Sequence, residues 1–323
     1  MKLGLKLIAV VIPCYKVRDK ILSVIAGIGA EVSAILVVDD ACPEGTGAFV
    51  TQNCKDDRVT VITKLQNSGV GGAVVAGYVE ALKSQAKVVV KIDGDGQLDP
   101  RLISKFSQPI LDGKCDYVKG NRFYSWEMVS TMPRIRLFGN SVLSFISKLV
   151  SGYWSVMDPT NGYTAISSEI LKLLPLEKID QRYFFESDML FRLGTIRAKV
   201  LDLPMTAVYS DENSSLSIFN TAFTFPLKFG VRFFKRIFYN YFLRDFNMGS
   251  MYIISGVLLV GFGFCFGVWH WLQSTQTLAT SGTVMLAALP VILGFQALVQ
   301  FISYDILTEP KTAVHPLLIS PAK

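Results

Sequence analysis

The chain reads as an α/β fold, a mostly parallel sheet with helices on both faces, followed by interfacial amphipathic helices and two transmembrane helices. Three observations carry this reading. Valine- and isoleucine-rich runs alternate with helix-length segments from residue 7 to residue 93, the runs are apolar almost without interruption, and two long uncharged stretches occupy the C-terminal third.

The strand-like runs are LIAVVIP (7–13), AILVVDD (34–40), VTVIT (59–63) and KVVVKID (87–93), separated by segments 17–31, 43–57 and 70–86 that are long enough for helices. A strand that is apolar on both sides of its pleat must be covered on both sides, as in a parallel sheet between helix layers. The opening MKLGLKLIAVVIPCYK has a basic start, but its apolar part is short and lacks a small-residue cleavage site, so it is the first strand rather than a signal peptide. Met251–Leu272 and Thr283–Tyr304 carry no formal charge. Each is about 20 residues long, enough at ~1.5 Å per residue to span a ~30 Å hydrocarbon layer. Pro290 is a candidate kink in the second, and His270, between Trp269 and Trp271, reads as an interfacial residue of the first.

Lys228, Arg232, Lys235, Arg236 and Arg244 precede the first span, whereas the connecting QSTQTLATSG has no charge. The positive-inside tendency then places the large N-terminal region and both termini in the cytosol, with the hairpin in the cytoplasmic membrane. FPLKFGVRFFKRIFYNYFLRDF interleaves basic and aromatic residues, as a helix lying against anionic headgroups would, although a core-packed amphipathic helix gives a similar pattern. The expected division is 1–217 for the α/β domain, 218–248 for interfacial helices and 249–323 for the hairpin with a short tail.

Half of the residues are hydrophobic and 18% are charged, a balance that itself asks for a membrane part. The net charge of +6 comes without a recognisable nucleic-acid module, which argues against nucleic-acid binding. The five cysteines, Cys14, Cys42, Cys54, Cys115 and Cys265, are scattered without a C-x-x-C pair, so neither a disulfide framework nor a zinc site is expected. A homo-oligomer is compatible with the chain, whose sequence does not set an oligomeric state.

The polar residues cluster where strands end: Pro13 and Tyr15 after the first, Asp39 and Asp40 after the second, and KIDGDGQLDP at the fourth. In parallel sheets ligands bind beyond the carboxyl ends of the strands. Asp93 and Asp95, one glycine apart, supply hard oxygen ligands suited to Mg²⁺ or Mn²⁺ whose shell is completed by substrate phosphates, although Asp and Gly also build ordinary turns. NSGVGGAVVAGY (67–78) adds a glycine-rich helix entry whose N-terminus could approach phosphate or ribose, without being the dinucleotide fingerprint.

Taken in order, VVIPCYK, VVDDACPEGTG, NSGVGGAVVAGY, KIDGDGQLDP, KGNRF, DPTNGYTAIS and YFFESDMLFRLG resemble glycosyltransferase family 2 with its GT-A fold, over residues 6 to about 217. The chain looks most like the branch of dolichyl-phosphate mannose synthase and bacterial polyprenyl-phosphate sugar synthases. The resemblance implies a nucleotide-sugar donor (UDP- or GDP-linked), a polyprenyl-phosphate acceptor and a Mg²⁺ or Mn²⁺ cofactor. It implies that Pro13, Tyr15 and Asp39 border the nucleobase, that Asn67 lies near the ribose, and that Asp93, Asp95 and Gln97 hold metal and diphosphate. Arg122 would meet phosphate, as would Arg134 or Arg136 from RIRLFGNSVLSFISKLVSGYW. That segment has apolar residues at helical spacing (Leu137, Phe138, Leu143, Phe145, Ile146, Leu149, Val150), which suits a helix guiding a lipid acceptor and equally suits core packing.

Two departures bear on the acceptor. Ser187 follows Glu186 where relatives that use sugar hydroxyls have an aspartate base. A phosphate monoester, with a second pKa of about 6, is already ionised at neutral pH and needs no base, so this favours a phosphate nucleophile. Asp188, one residue on, remains a candidate base. Against this, YSDENSSLSIF lacks the basic residue that often precedes the serines of the polyprenyl-phosphate branch. The alternatives are a transferase extending a lipid-linked saccharide at a hydroxyl and a non-catalytic membrane assembly subunit.

Overall fold

A computed structural model of the chain describes residues 7–124, 134–206, 218–273 and 279–319, leaving aside the side chains of 134–136 and 218–223. The alternating runs form seven strands: β1 (Ile8–Cys14), β2 (Val32–Asp39), β3 (Val59–Thr63), β4 (Val88–Lys91), β5 (Tyr117–Asn121), β6 (Thr164–Ser167) and β7 (Val200–Pro204). They make one sheet in the order β3-β2-β1-β4-β6-β5-β7. β6 runs antiparallel to both neighbours, while the β1–β2, β1–β4, β2–β3 and β5–β7 pairs are parallel.

Both faces are buried, as the unbroken apolar runs require. Ile8, Val10 and Ile12 of β1 pack with α1 (Arg18–Ala26) and α4 (Ile103–Leu111). The intervening Ala9 and Val11 face α3 (Gly69–Ala81) and α7 (Phe185–Thr195). α2 (Thr46–Asn53) crosses from β2 to β3, and α6 (Ser168–Leu173) follows β6. α5 (Arg134–Ser151) and α8 (Ile218–Phe238) pack on a third cluster, in which Val150 and Phe229 meet Phe184 and Phe191.

The molecule divides into two compact units, residues 1–233 with 310–323, and residues 234–309. The expected interfacial segment is thus split, its first sixteen residues (218–233) belonging to the α/β unit. The tail is held there by Asp116, just before β5, whose buried carboxylate accepts from the N–H of Val314 at 2.8 Å and of His315 at 2.7 Å and meets His315 Nδ1 at 2.8 Å. The chain therefore leaves this unit at 233 and rejoins it at 310. The tail ends in a short helix, α11 (His315–Leu318).

The second unit contains α9 (Met248–Gln273) and α10 (Ser281–Leu307), both long and apolar enough to cross a membrane. α10 runs through Pro290 without interruption. A Cβ on Gly256 would stand 2.7 Å from Leu298, and one on Gly294 would stand 2.9 Å from the Gly256 carbonyl, so glycine is what lets these helices touch backbone to backbone. Near the hairpin base Asp305 accepts a two-pronged contact from Arg236 at 2.8 and 3.1 Å and a hydrogen bond from Tyr241 at 2.5 Å.

Candidate active site

Parallel pairing brings the carboxyl ends of β1, β2 and β4 to one edge, with Cys14 opposite Asp39 and Lys91 opposite Val11. The reversed β6 adds its entry loop, residues 158–163, to the same edge, and β5 delivers Arg122 there. The DGD turn is the centre of this arrangement. Asp93 is partly exposed, and its Oδ1 lies 2.7 Å from the ammonium of Lys91, which is 1% exposed. Lys91 also lies 3.5 Å from Glu186 in the first turn of α7. Burial by itself would lower the Lys91 pKa, but Asp93 and Glu186 outweigh it and hold the ammonium above its ordinary value. Asp95 accepts from the N–H of Gln97 at 3.0 Å. Asp99 does a separate job, accepting from the N–H of Arg101 at 3.0 Å to cap the turn Pro100–Leu102.

A side chain at Gly162 would collide with the Asp93 carboxylate and the Lys91 ammonium, so glycine is what lets the 158–163 loop approach these two groups. Among the described residues no three His, Cys, Asp or Glu side chains form a metal cage. Two partly exposed carboxylates at a strand end nevertheless fit an ion that takes most of its ligands from diphosphate and water, which is how Mg²⁺ is usually bound.

The other expected site residues are distributed unevenly. Tyr15 is exposed at the end of β1, beside Pro13. Asp39 is buried, its two oxygens accepting from the N–H groups of Cys42 at 2.7 Å and Gly47 at 2.5 Å, so it shapes the loop into α2. At the N-terminus of α3, expected to approach phosphate or ribose, the first N–H groups are taken by a carboxylate of the protein. Asp40 takes the N–H of Ser68 at 2.9 Å and of Gly69 at 2.7 Å, and Asn67 donates to the Asp40 carbonyl at 3.2 Å. A carboxylate from the next strand end already satisfies these donors and the helix dipole.

Arg122 forms a two-pronged pair with Asp158, at 2.7 and 3.0 Å, and Asp158 is fully buried. The side chains of Arg134 and Arg136 lie outside the described residues, as does most of YSDENSSLSIF. Asp188 requires a correction. Two positions beyond Glu186, about 200° around the helix, it has different neighbours. Fully buried, it accepts from Arg192 at 3.0 Å, Arg232 at 3.0 Å and the N–H of Asp180 at 3.0 Å. It is the hub of an ion-pair cluster rather than a base open to a substrate.

Part of the basic stripe of α8 is engaged in the same way. Lys228, Arg232 and Arg236, four residues apart on one helix face, pair with Asp180 at 2.5 Å, Asp188 at 3.0 Å and Asp305 at 2.8 Å, so each of these three cations has a carboxylate partner within the protein. Beside the exposed Lys235, α8 exposes the apolar Leu227, Val231 and Phe234, and α5 exposes Phe138, Val142 and Phe145.

Sequence reasoning missed Lys91, Asp158 and Gly162. Lys91 had a signal, a lone charge ending an otherwise apolar strand. Asp158 and Gly162 lie in DPTNGYTAIS, one of the segments that carry the resemblance, but their roles come from contacts across the sheet edge that the segment does not announce.

A family model, Glycosyl transferase family 2, matches residues 9–174, which include every strand of the site's edge. The chain belongs to glycosyl transferase family 2. It is a glycosyltransferase of the α/β, GT-A type. Its relatives include the UDP-N-acetylglucosamine–dolichyl-phosphate N-acetylglucosaminyltransferase of Methanococcus voltae, 30% identical over 64% of this chain and 87% of that protein. They also include the polyprenol monophosphomannose synthase of Mycolicibacterium smegmatis, 29% identical over 61% of this chain and 76% of that one. The undecaprenyl-phosphate mannosyltransferase of Micrococcus luteus is 30% identical over 54% of this chain and 72% of its own length. Among solved structures, glucosyl-3-phosphoglycerate synthase from Mycobacterium tuberculosis, with Mn²⁺, UDP and phosphoglyceric acid, superposes with a TM-score of 0.52 at 17% identity, over 71% of this chain and 78% of that one. At that identity the likeness supports the shared fold alone.

Proposed function

We propose that this enzyme transfers a sugar, with inversion, from a UDP- or GDP-sugar to a polyprenyl phosphate at the cytosolic face of the cytoplasmic membrane, and that Mg²⁺ or Mn²⁺ is required. The observation that carries the reading is the pair of partly exposed carboxylates, Asp93 and Asp95, at the carboxyl edge of a family 2 sheet. Asp93 and Asp95 would hold the ion with Gln97 beside them, and the ion when bound would neutralise the charge gathering on the leaving diphosphate. Pro13, Tyr15 and Asn67 stand where the nucleoside would lie, and Asp39 keeps the loop beside it in shape.

The acceptor class rests on the relatives, which are named for dolichyl, polyprenol and undecaprenyl phosphates. It is supported by the serine at 187 after Glu186 and by the engagement of the candidate base Asp188 with two guanidinium groups. A phosphate oxygen would attack the anomeric carbon as the bond to the nucleoside diphosphate breaks, and no proton need move if the phosphate is already ionised. Arg122, held by Asp158, and Arg134 or Arg136 are the cations offered to that phosphate. The apolar outer stripes of α5 and α8 suit a lipid acceptor arriving from a bilayer. Both ends of the hairpin join the α/β unit, which fits one side of the membrane for the catalytic part and both termini. The charge-free loop fits the opposite side.

The test is purified full-length protein incubated with a panel of UDP- and GDP-sugars, with and without polyprenyl phosphate and chelator. Sugar-linked lipid formed only with polyprenyl phosphate supports the reading. Transfer to a lipid-linked saccharide instead would replace the acceptor.

A further inference from the structure

Asp202 is the middle residue of β7, VLDLP, where an acid is out of keeping with a strand. Its neighbours Leu201 and Leu203 pack against the cluster that holds Ile8, Val10 and Ile12, so the pleat turns Asp202 to the opposite face. There its Oδ2 accepts from the side-chain amide of Asn121 at 2.7 Å and from the N–H of Met157 at 3.1 Å. Asn121 immediately precedes Arg122, and Met157 immediately precedes Asp158. The Asn121 amide oxygen in turn accepts from the N–H of Phe123 at 2.7 Å, so this side chain brackets Arg122 on both sides. A single oxygen on β7 thus holds the residue before each member of the Arg122–Asp158 pair.

We propose that Asp202 is a positioning residue that aims the Arg122 guanidinium at the acceptor phosphate. The inference rests on the reading of Arg122 as a cation offered to that phosphate. A guanidinium is a planar fork, so the side on which it pairs fixes the direction of its other N–H groups. Asp158 takes Nε at 2.7 Å and Nη2 at 3.0 Å, and the fork can hold its aim only while the 157–158 segment and the end of β5 keep their relative places. Asp202 ties these two segments to β7. Both of its partners are donors, so the position needs an acceptor. The need is met by one oxygen rather than by charge, since Asp202 Oδ1 is buried and has no hydrogen-bond partner among the described residues. Burial, with the nearby charge of Asp158, pushes this carboxyl up to about 6, so a neutral group is at home here.

The experiment measures binding of undecaprenyl phosphate and of undecaprenol, the same chain without the phosphate, to full-length protein in detergent by microscale thermophoresis. The ratio of the two affinities isolates the phosphate contribution. Wild type should favour the phosphate by about tenfold or more, and Arg122→Ala should erase most of that preference, as expected of charge-assisted hydrogen bonds. Asp202→Ala should cut the ratio by about fivefold or more while leaving undecaprenol binding within about twofold, and Asp202→Asn, whose amide oxygen can take both donors, should restore the ratio to within about twofold of wild type. A damaged structure would weaken both lipids together, so a change in the ratio is not the mark of a merely structural residue. If Asp202→Ala weakens both, Asn121→Ala, which cuts the same link from its other end, takes its place. An unchanged ratio in the alanine variant, or an asparagine variant as impaired as alanine, beside the expected loss in Arg122→Ala, overturns the role of Asp202 and leaves the reading of Arg122 standing. Arg122→Ala with the full phosphate preference of wild type overturns both.

Discussion

Replacing Asp188 by asparagine separates two accounts of this site, because they predict losses in different quantities. The carboxylate is fully buried and receives Arg192, Arg232 and the Asp180 N–H, each at 3.0 Å. Asparagine keeps the shape but turns its amide donors toward two guanidinium groups. Breaking a buried ion pair from one side costs about 3–5 kcal/mol. Arg192 and Arg232 are 12% and 20% exposed, so water relieves part of that cost and a loss of about 2–3 kcal/mol is expected. For a unit of this size each kcal/mol lowers the melting temperature by about 2–4 °C, so the midpoint should fall by about 5–10 °C. Turnover per folded molecule should stay within about threefold, since a phosphate nucleophile has no proton to surrender. A general base typically supplies about a hundredfold to ten-thousandfold. The assay pairs a fluorescence melt in detergent with initial rates at saturating donor, normalised to folded protein. An unchanged midpoint beside a rate loss of a hundredfold or more would refute the structural role and return Asp188 to the chemistry, with a hydroxyl acceptor.

The remaining expectations are narrower. Asp95→Asn, or chelation of the wild type, should abolish transfer with little change in the melting curve, and full turnover in excess chelator would contradict the metal requirement. A cysteine at Ser274 should react with an impermeant thiol reagent added to intact cells and one at Ser214 should not; both positions lie outside the described residues, and the reverse pattern would invert the topology. Burial, then the charge of Asp158, push the Asp202 carboxyl up to about 6 from an ordinary 3.8. The folded state therefore holds this proton more tightly than the unfolded state, and the contribution is lost as pH rises from about 4 to 6. Asp202→Asn should flatten that part of the stability profile by on the order of 2–3 kcal/mol, and an unaltered profile would show that another group controls it.

The amino-acid pattern was sufficient for the first four strands and the helices between them, because a strand buried on both faces has few polar positions and its ends stand out. Helix boundaries came out shorter than the segments allowed, as with Arg18–Ala26 inside 17–31, where Gly27 and Gly29 follow. The later strands were not legible. β5 carries Lys119, which burial drives down to about 8 and which donates to the Asn161 carbonyl at 2.7 Å, so an interior strand there looks polar in sequence. Nothing local announces that β6 is reversed, since strand direction is decided by the partners on either side.

The sequence by itself determined the sheet edge and the aspartates that crown it. Backbone periodicity and the chemistry of a carboxylate are local properties, readable within ten residues, and the two apolar spans follow from composition in the same way. Tertiary structure alone decided how the charges are shared. Asp188 went to Arg192 and Arg232, Asp40 to the start of α3, Asp116 to the returning tail, and Lys91 to the space between Asp93 and Glu186. Burial makes an unpaired charge too costly to keep, so each buried charge must find an opposite charge or a hydrogen-bond donor, and that partner can lie a hundred or more residues away along the chain.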